Sequence, residues 1–178
     1  MIRLAFILIF AAGRLVAQEG EAETPNIEPP MTYERLGNIL FALDPEAQPF
    51  GPGFQMTVAD VQVLVITDIN ADRMRAMVSI RSAETLSQEE LVRMMQANFD
   101  STLDARYAIA NGTLWAAFIH PLSLLEKEQL ISGLAQTVNI AKTFGTLYSG
   151  GAAEFGGGDS TDLQRALIEE LLKKGEEI

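Results

Sequence analysis

The stretch from Ala105 to Pro121, ARYAIANGTLWAAFIHP, constrains the fold more than any other, because an Asn-Gly pair separates two runs that can alternate as strands. Asn111 and Gly112 tolerate the positive φ angles that a two-residue type I′ turn demands, and that turn matches the twist of the strands it joins. A hairpin is expected, with Tyr107 and Ile109 before the turn and Trp115, Ala117 and Ile119 after it. Pro121 closes its second strand.

The residues before the hairpin extend this into a helix and three strands. From Met31 onward Tyr33, Leu36, Ile39, Leu40 and Leu43 recur at helical spacing, with Thr32 able to cap the start and Pro45 stopping the run. Gln48 to Gly53 is turn chemistry. Phe54, Met56 and Val58 then alternate as a half-buried strand does. Val61, Val63 and Val65 oppose Leu64 and Ile66, which suggests a central strand covered on both sides. After a turn at Asp68 to Asp72, a third strand sets Met74, Ala76, Val78 and Ile80 against Arg73, Arg75, Met77 and Ser79.

Two more helices are legible from their starts. Ser87 and Glu90 form a capping box with Leu86 and Leu91 as its staple, opening a helix to about Ser101 whose buried stripe is expected at Leu91, Met94, Met95 and Phe99. After the hairpin, Ser123 and Glu126 repeat the capping spacing before a helix to about Tyr148, with Leu130, Leu134, Val138 and Ala141 along one side. One domain over 31–148 follows. Residues 149–160 hold five glycines and read as a tether that ends it. Residues 161–174 then form a short amphipathic helix with Leu163, Ala166, Leu167 and Leu171 on its apolar side.

The N-terminus reads as an address. Arg3 precedes an apolar core from Leu4 to Ala12, which is too short to span a bilayer and suits an export signal over 1–17, cleaved after Ala17 or kept as an anchor. Residues 18–30 are polar, acidic and proline-rich, a disordered linker. A periplasmic or secreted location in a bacterium is the expectation. With 24 acidic against 13 basic residues, the formal charge of -11 repels phosphate backbones and anionic lipid, so neither nucleic acid nor direct membrane binding is expected. No cysteine is present, which excludes disulfides and thiol chemistry.

No residue pattern rises to a catalytic set. Asp68, Asn70 and Asp72 occupy the first ligand positions of a calcium loop, but Arg73 stands where the turn needs glycine and Ser79 where a bidentate glutamate belongs. An inter-strand turn explains them. His120 is the sole histidine and sits at a strand end. Asp104 and Arg106 can pair, weakly if exposed. Gly156 to Gly158 lack the lysine of a phosphate loop, and the sequon at Asn111 is explained by its turn. Met74, Met77, Met94 and Met95 suit core filling, with Met77 alone on the strand face opposite Met74 and hence a candidate for partner contact.

The order helix, three strands, helix, two strands, helix, together with RYAIANGTLW at Arg106 to Trp115 and the helix start after PLS at Pro121 to Ser123, resembles the type III secretion chaperone-like superfamily, and within it the YbjN-type family of sensory transduction regulators. The resemblance implies an α+β fold, an antiparallel five-stranded sheet packed by helices in the order α-β-β-β-α-β-β-α. It also implies a protein partner, frequent homodimerisation and no cofactor or metal. The expected function is an exported, non-enzymatic protein-binding or chaperone-like module, with Met77, Leu163, Leu167 and Leu171 as candidate contacts. The alternative is a small-ligand-binding protein or hydrolase using a carboxylate pocket with Tyr107 or Trp115.

Overall fold

The computed structural model describes residues 28–100, 102–145 and 161–175. Its elements run α1 (Tyr33–Leu43), β1 (Gln48–Phe50), β2 (Gly53–Val58), β3 (Val61–Asp68), β4 (Arg73–Ser82), α2 (Gln88–Asp100), β5 (Arg106–Ala110), β6 (Thr113–His120), α3 (Lys127–Lys142) and α4 (Thr161–Gly175). The strands form one antiparallel sheet in the order β1-β2-β3-β4-β6-β5. The class is α+β, as expected, with six strands rather than five. The additional strand is β1, which the turn-rich sequence concealed: Gln48 to Phe50 pairs with Gly53 to Gln55, and Pro49 is tolerated because β1 lies at the sheet edge. Gly53 lets β2 approach β3, since a Cβ there would stand 1.9 Å from the Val65 carbonyl oxygen.

The hairpin forms as its turn chemistry requires. Asn111 (φ 50°) and Gly112 (φ 71°) are both left-handed, and Ala110 faces Thr113 across the turn. On one side of the sheet Met56, Val65, Ala76, Ala116 and Phe118 are buried with Leu36 and Leu40 of α1 and Leu130, Leu134 and Val138 of α3. The other side is barer than expected: Val63 and Val65 are fully buried, but Leu64 and Ile66 only half so, because the α1–α3 layer covers a single face.

Thr32 caps α1 by accepting the Arg35 N–H at 3.1 Å, and Ser87 and Glu90 exchange the two bonds of a capping box at the start of α2. The stripe expected to be buried on α2 is largely wrong. Met94 and Ala97 are buried, whereas Met95 and Phe99 are 69% and 72% exposed, Val92 is 60% exposed and Leu91 37%. The inward side of α2 is set by Asn98, whose amide accepts the Tyr107 N–H at 2.7 Å and donates to the Tyr107 carbonyl at 3.0 Å. That side chain pairs with edge strand β5 as a further strand would.

α3 starts later than expected, at Lys127, with Glu126 as N-cap and Gln129 completing the box. It ends at Lys142 rather than Tyr148, and the expected tether over 149–160 lies outside the described residues. α4 does not stand apart from the domain. It packs on α3 and α1, with Leu171 3% exposed and Leu167, Ile168 and Leu172 partly buried against the core. The export signal and most of the linker lie outside the described residues. Its last part is tied down: the Glu28 carboxylate pairs with Arg35 and accepts the Lys127 N–H at 3.0 Å.

Candidate functional site

Strand alternation places a second set of side chains on the half-exposed face, and strand pairing arranges them in rows. Ile66, Arg75 and Ile119 form one row across β3, β4 and β6. Leu64, Met77, Ala117 and Arg106 form the next, reaching β5, and Ser79, Trp115 and Ala108 a third. Between them lies a trough of about 360 Å³ lined by Arg75, Met77, Ala108, Trp115, Ala117 and Ile119. Its floor is alanine and its walls are large and apolar. Trp115 is held there by its indole N–H, which donates to the Ala110 carbonyl at 3.2 Å, so the ring's polar edge is satisfied and its body faces the trough. Ile119 is 56% exposed.

Of the residues singled out from sequence, Met77 lies in this trough, half-buried. Met74 is on the covered face in the core. Leu167 and Leu171 are turned onto the chain's own α3 and α1, on the other side of the sheet, while the Leu163 side chain lies outside the described residues. The four candidates are therefore not one surface. Sequence reading missed Trp115 and Ile119 as surface residues and Arg75 as their neighbour. The available signal was the same alternation that set Met77 apart from Met74.

A larger groove of about 590 Å³ lies between the end of β6, the start of α3 and α4, and holds Asp104, Arg106, His120, Glu128, Ser132 and Ile168. His120, Ser132 and Asp104 there are engaged structurally. His120 Nδ1 meets the Pro121 carbonyl at 2.8 Å with the ring stacked on Phe118, and Ser132 Oγ accepts from the Gln136 amide at 3.1 Å. Asp104 does not pair with Arg106. Its backbone N–H and that of Ala105 instead donate to Gln136 Oε1, at 2.9 and 3.1 Å. The carboxylate pocket with Tyr107 or Trp115 is not assembled: Tyr107 donates its hydroxyl to the Ile140 carbonyl at 2.9 Å on the covered face, and Trp115 is on the opposite one.

The turn at Asp68 to Asp72 is likewise structural. Asp68 accepts the Ala71 N–H, and Asp72 accepts the Ser123 N–H at 2.7 Å and the Ser123 hydroxyl at 2.8 Å. Those two bonds hold the Asp72 carboxyl below its ordinary pKa. Among the described residues no group of three His, Cys, Asp or Glu is placed to hold a metal ion, and no helix is long and apolar enough to cross a membrane.

No family model matches the chain, and no curated protein matches it. Solved structures do. The chain is similar in fold to a chain of the HopA1–SchA chaperone–effector complex, at 13% identity over 61% of this chain and 91% of that one, with a TM-score of 0.46. It is also similar to the Yersinia pestis type III secretion chaperone SycH in complex with a stable fragment of YscM2, at 20% identity over 64% and 99%, with a TM-score of 0.47. The expected periplasmic or secreted location is corrected at this point: type III secretion chaperones are cytoplasmic, which conflicts with it.

Proposed function

We propose that this chain is a non-enzymatic, chaperone-like protein-binding module whose contact surface is the half-exposed face of the sheet. The observation that carries this reading is the trough of Met77, Trp115 and Ile119, an apolar recess with a pinned aromatic wall, left uncovered by the helix layer. Exposed apolar patches of this kind mark interaction surfaces. A photo-crosslinking residue placed at 119 in the full chain, in its native cells, tests it. A discrete crosslinked protein that disappears in Met77→Asp, while the same probe at exposed position 124 gives none, supports the reading. Crosslinks unaltered by Met77→Asp sink it.

Homodimerisation is a separate part of the proposal, supported by α2. Leu91, Val92, Met95 and Phe99 lie exposed at helical spacing, and beside them Arg93 pairs with Glu89 at 3.3 Å. An apolar stripe of this kind can meet its own copy across a two-fold axis. Sedimentation velocity on wild type and Met95→Asp/Phe99→Asp checks it, with a monomeric wild type as the adverse result. The YbjN-type assignment belongs to the proposal as well, and rests on the element order.

A further inference from the structure

The ionisable residues on the open face run against the rest of the molecule. The chain carries 24 acidic and 13 basic residues, yet at the strand positions of this face the charged side chains are Arg73, Arg75 and Arg106, with one carboxylate, Asp68, at a strand end opposite Arg73. None of the three arginines is in an ion pair among the described residues. Arg106 uses one nitrogen, Nη1, on the neutral oxygens of Thr102 and Ala105, at 3.2 and 2.7 Å. Arg75 makes no hydrogen bond to another described residue. Guanidinium groups are suited to bidentate carboxylate binding, and most of these donors are unspent: Arg75 lines the apolar trough, and Arg106 follows it on the same sheet face, paired with Ala117 of its floor and lining the adjoining groove.

Resting on the reading of this face as the contact surface, we propose that its partner is an acidic amphipathic helix, an apolar stripe flanked by carboxylates, seated in the trough with Arg75 at its wall and Arg106 beyond its floor on β5. The dimensions suit it. Arg75 is on β4 and Arg106 on β5 with β6 between them, so two inter-strand spacings, about 10 Å, separate their strands. A helix with its side chains is about 10 Å across. Ala117 and Ala108 lower the floor, while Met77, Trp115 and Ile119 supply the walls that an apolar stripe needs. A phosphate polymer fits less well, because the long-range field of a chain at -11 repels it and the trough would stay unfilled. A second copy of the same face would set arginine against arginine.

Trp115 is the chain's sole tryptophan and lines the trough, so its fluorescence reports occupancy directly. The test titrates the full chain with a stapled helical peptide bearing a leucine stripe flanked by glutamate, and with versions in which lysine or glutamine replaces the glutamate. The glutamate peptide should shift Trp115 emission, weaken with added salt, and bind about tenfold less tightly to Arg75→Glu or Arg106→Glu. The Arg75→Glu/Arg106→Glu double variant should gain affinity for the lysine peptide. Both arginines are exposed, and circular dichroism verifies that the variants fold. Equal binding of glutamine and glutamate peptides overturns the acidic partner and leaves the contact face standing. Preferential binding of heparin assigns the face to a sulfated or phosphorylated polymer and overturns it too. If no peptide moves Trp115 the inference fails, and the crosslink at 119 then reports separately whether the face binds protein at all.

Discussion

Asp72 takes a left-handed backbone (φ 50°) and binds Ser123, 51 positions away, joining the turn before β4 to the approach of α3. The Ser123 N–H and then its hydroxyl lower its pKa; the Ser87 N–H and then hydroxyl do the same for Glu90. Burial pushes Glu28 upward, but Arg35 and the Lys127 N–H outweigh it and the net direction is down. All three folded-state values lie below the unfolded ones, so the stability they add is complete above the ordinary carboxylate range and is lost as pH falls through the folded values. Urea midpoints should stay level near neutrality and decline below about pH 4, less steeply in Asp72→Asn. An unchanged acid limb in that variant would refute the role of the Asp72–Ser123 link. Gln136 is 3% exposed and accepts two backbone N–H groups. Gln136→Leu, which strands both donors, should cost about 1–3 kcal/mol by urea denaturation. Neither partnership was legible in the sequence, because spacing shows neighbours along a helix or strand and says nothing about bonds between distant segments. Ser123 accordingly looked like a cap, and serves as an anchor for Asp72 instead.

Elements whose signals are local were read correctly: the Asn-Gly turn needs two residues, and the Ser87–Glu90 box needs four. α2 shows where that stops. Leu91, Met95 and Phe99 do share a side with helical period, but periodicity identifies an apolar side without saying what covers it. Asn98, engaged with Tyr107 on β5, turns Met94 and Ala97 inward and the apolar stripe out. β1 was hidden for the opposite reason, since proline and glycine suggest a turn even where an edge strand accepts them. Close packing between elements was equally silent. A Cβ at Gly133 of α3 would stand 2.5 Å from the Phe118 ring on β6, so the helix axis can approach the sheet only with glycine there. Gly133→Ala should destabilise by about 1–3 kcal/mol despite the better helix propensity of alanine, with partial recovery in Gly133→Ala/Phe118→Leu. A stabilised Gly133→Ala, judged by its thermal midpoint, would mean that α3 rides higher on the sheet than this.

Across the whole molecule, one choice decides what is core and what is surface: α1 and α3 share a face of the sheet, and α4 closes over them. The alternation of Met74 with Met77 and of Arg73 and Arg75 with Ala76 was visible in the sequence, but the loss of helix cover on the Met77 side was not, because β3 is apolar on both faces. The same choice leaves two surfaces of different character, a trough on the sheet walled by Arg75 and an apolar stripe on α2. If each has its own partner, the substitutions act independently. Phe99→Asp should change the sedimentation coefficient and leave the Trp115 response to the glutamate peptide intact, while Arg75→Glu should do the reverse, and the double variant should show the sum within about 0.5 kcal/mol. The opposite result has its own physical meaning. α2 contacts β5, the strand that bears Arg106, so a Phe99→Asp variant that also loses the peptide would show that a second copy at α2 positions the β5 border of the trough.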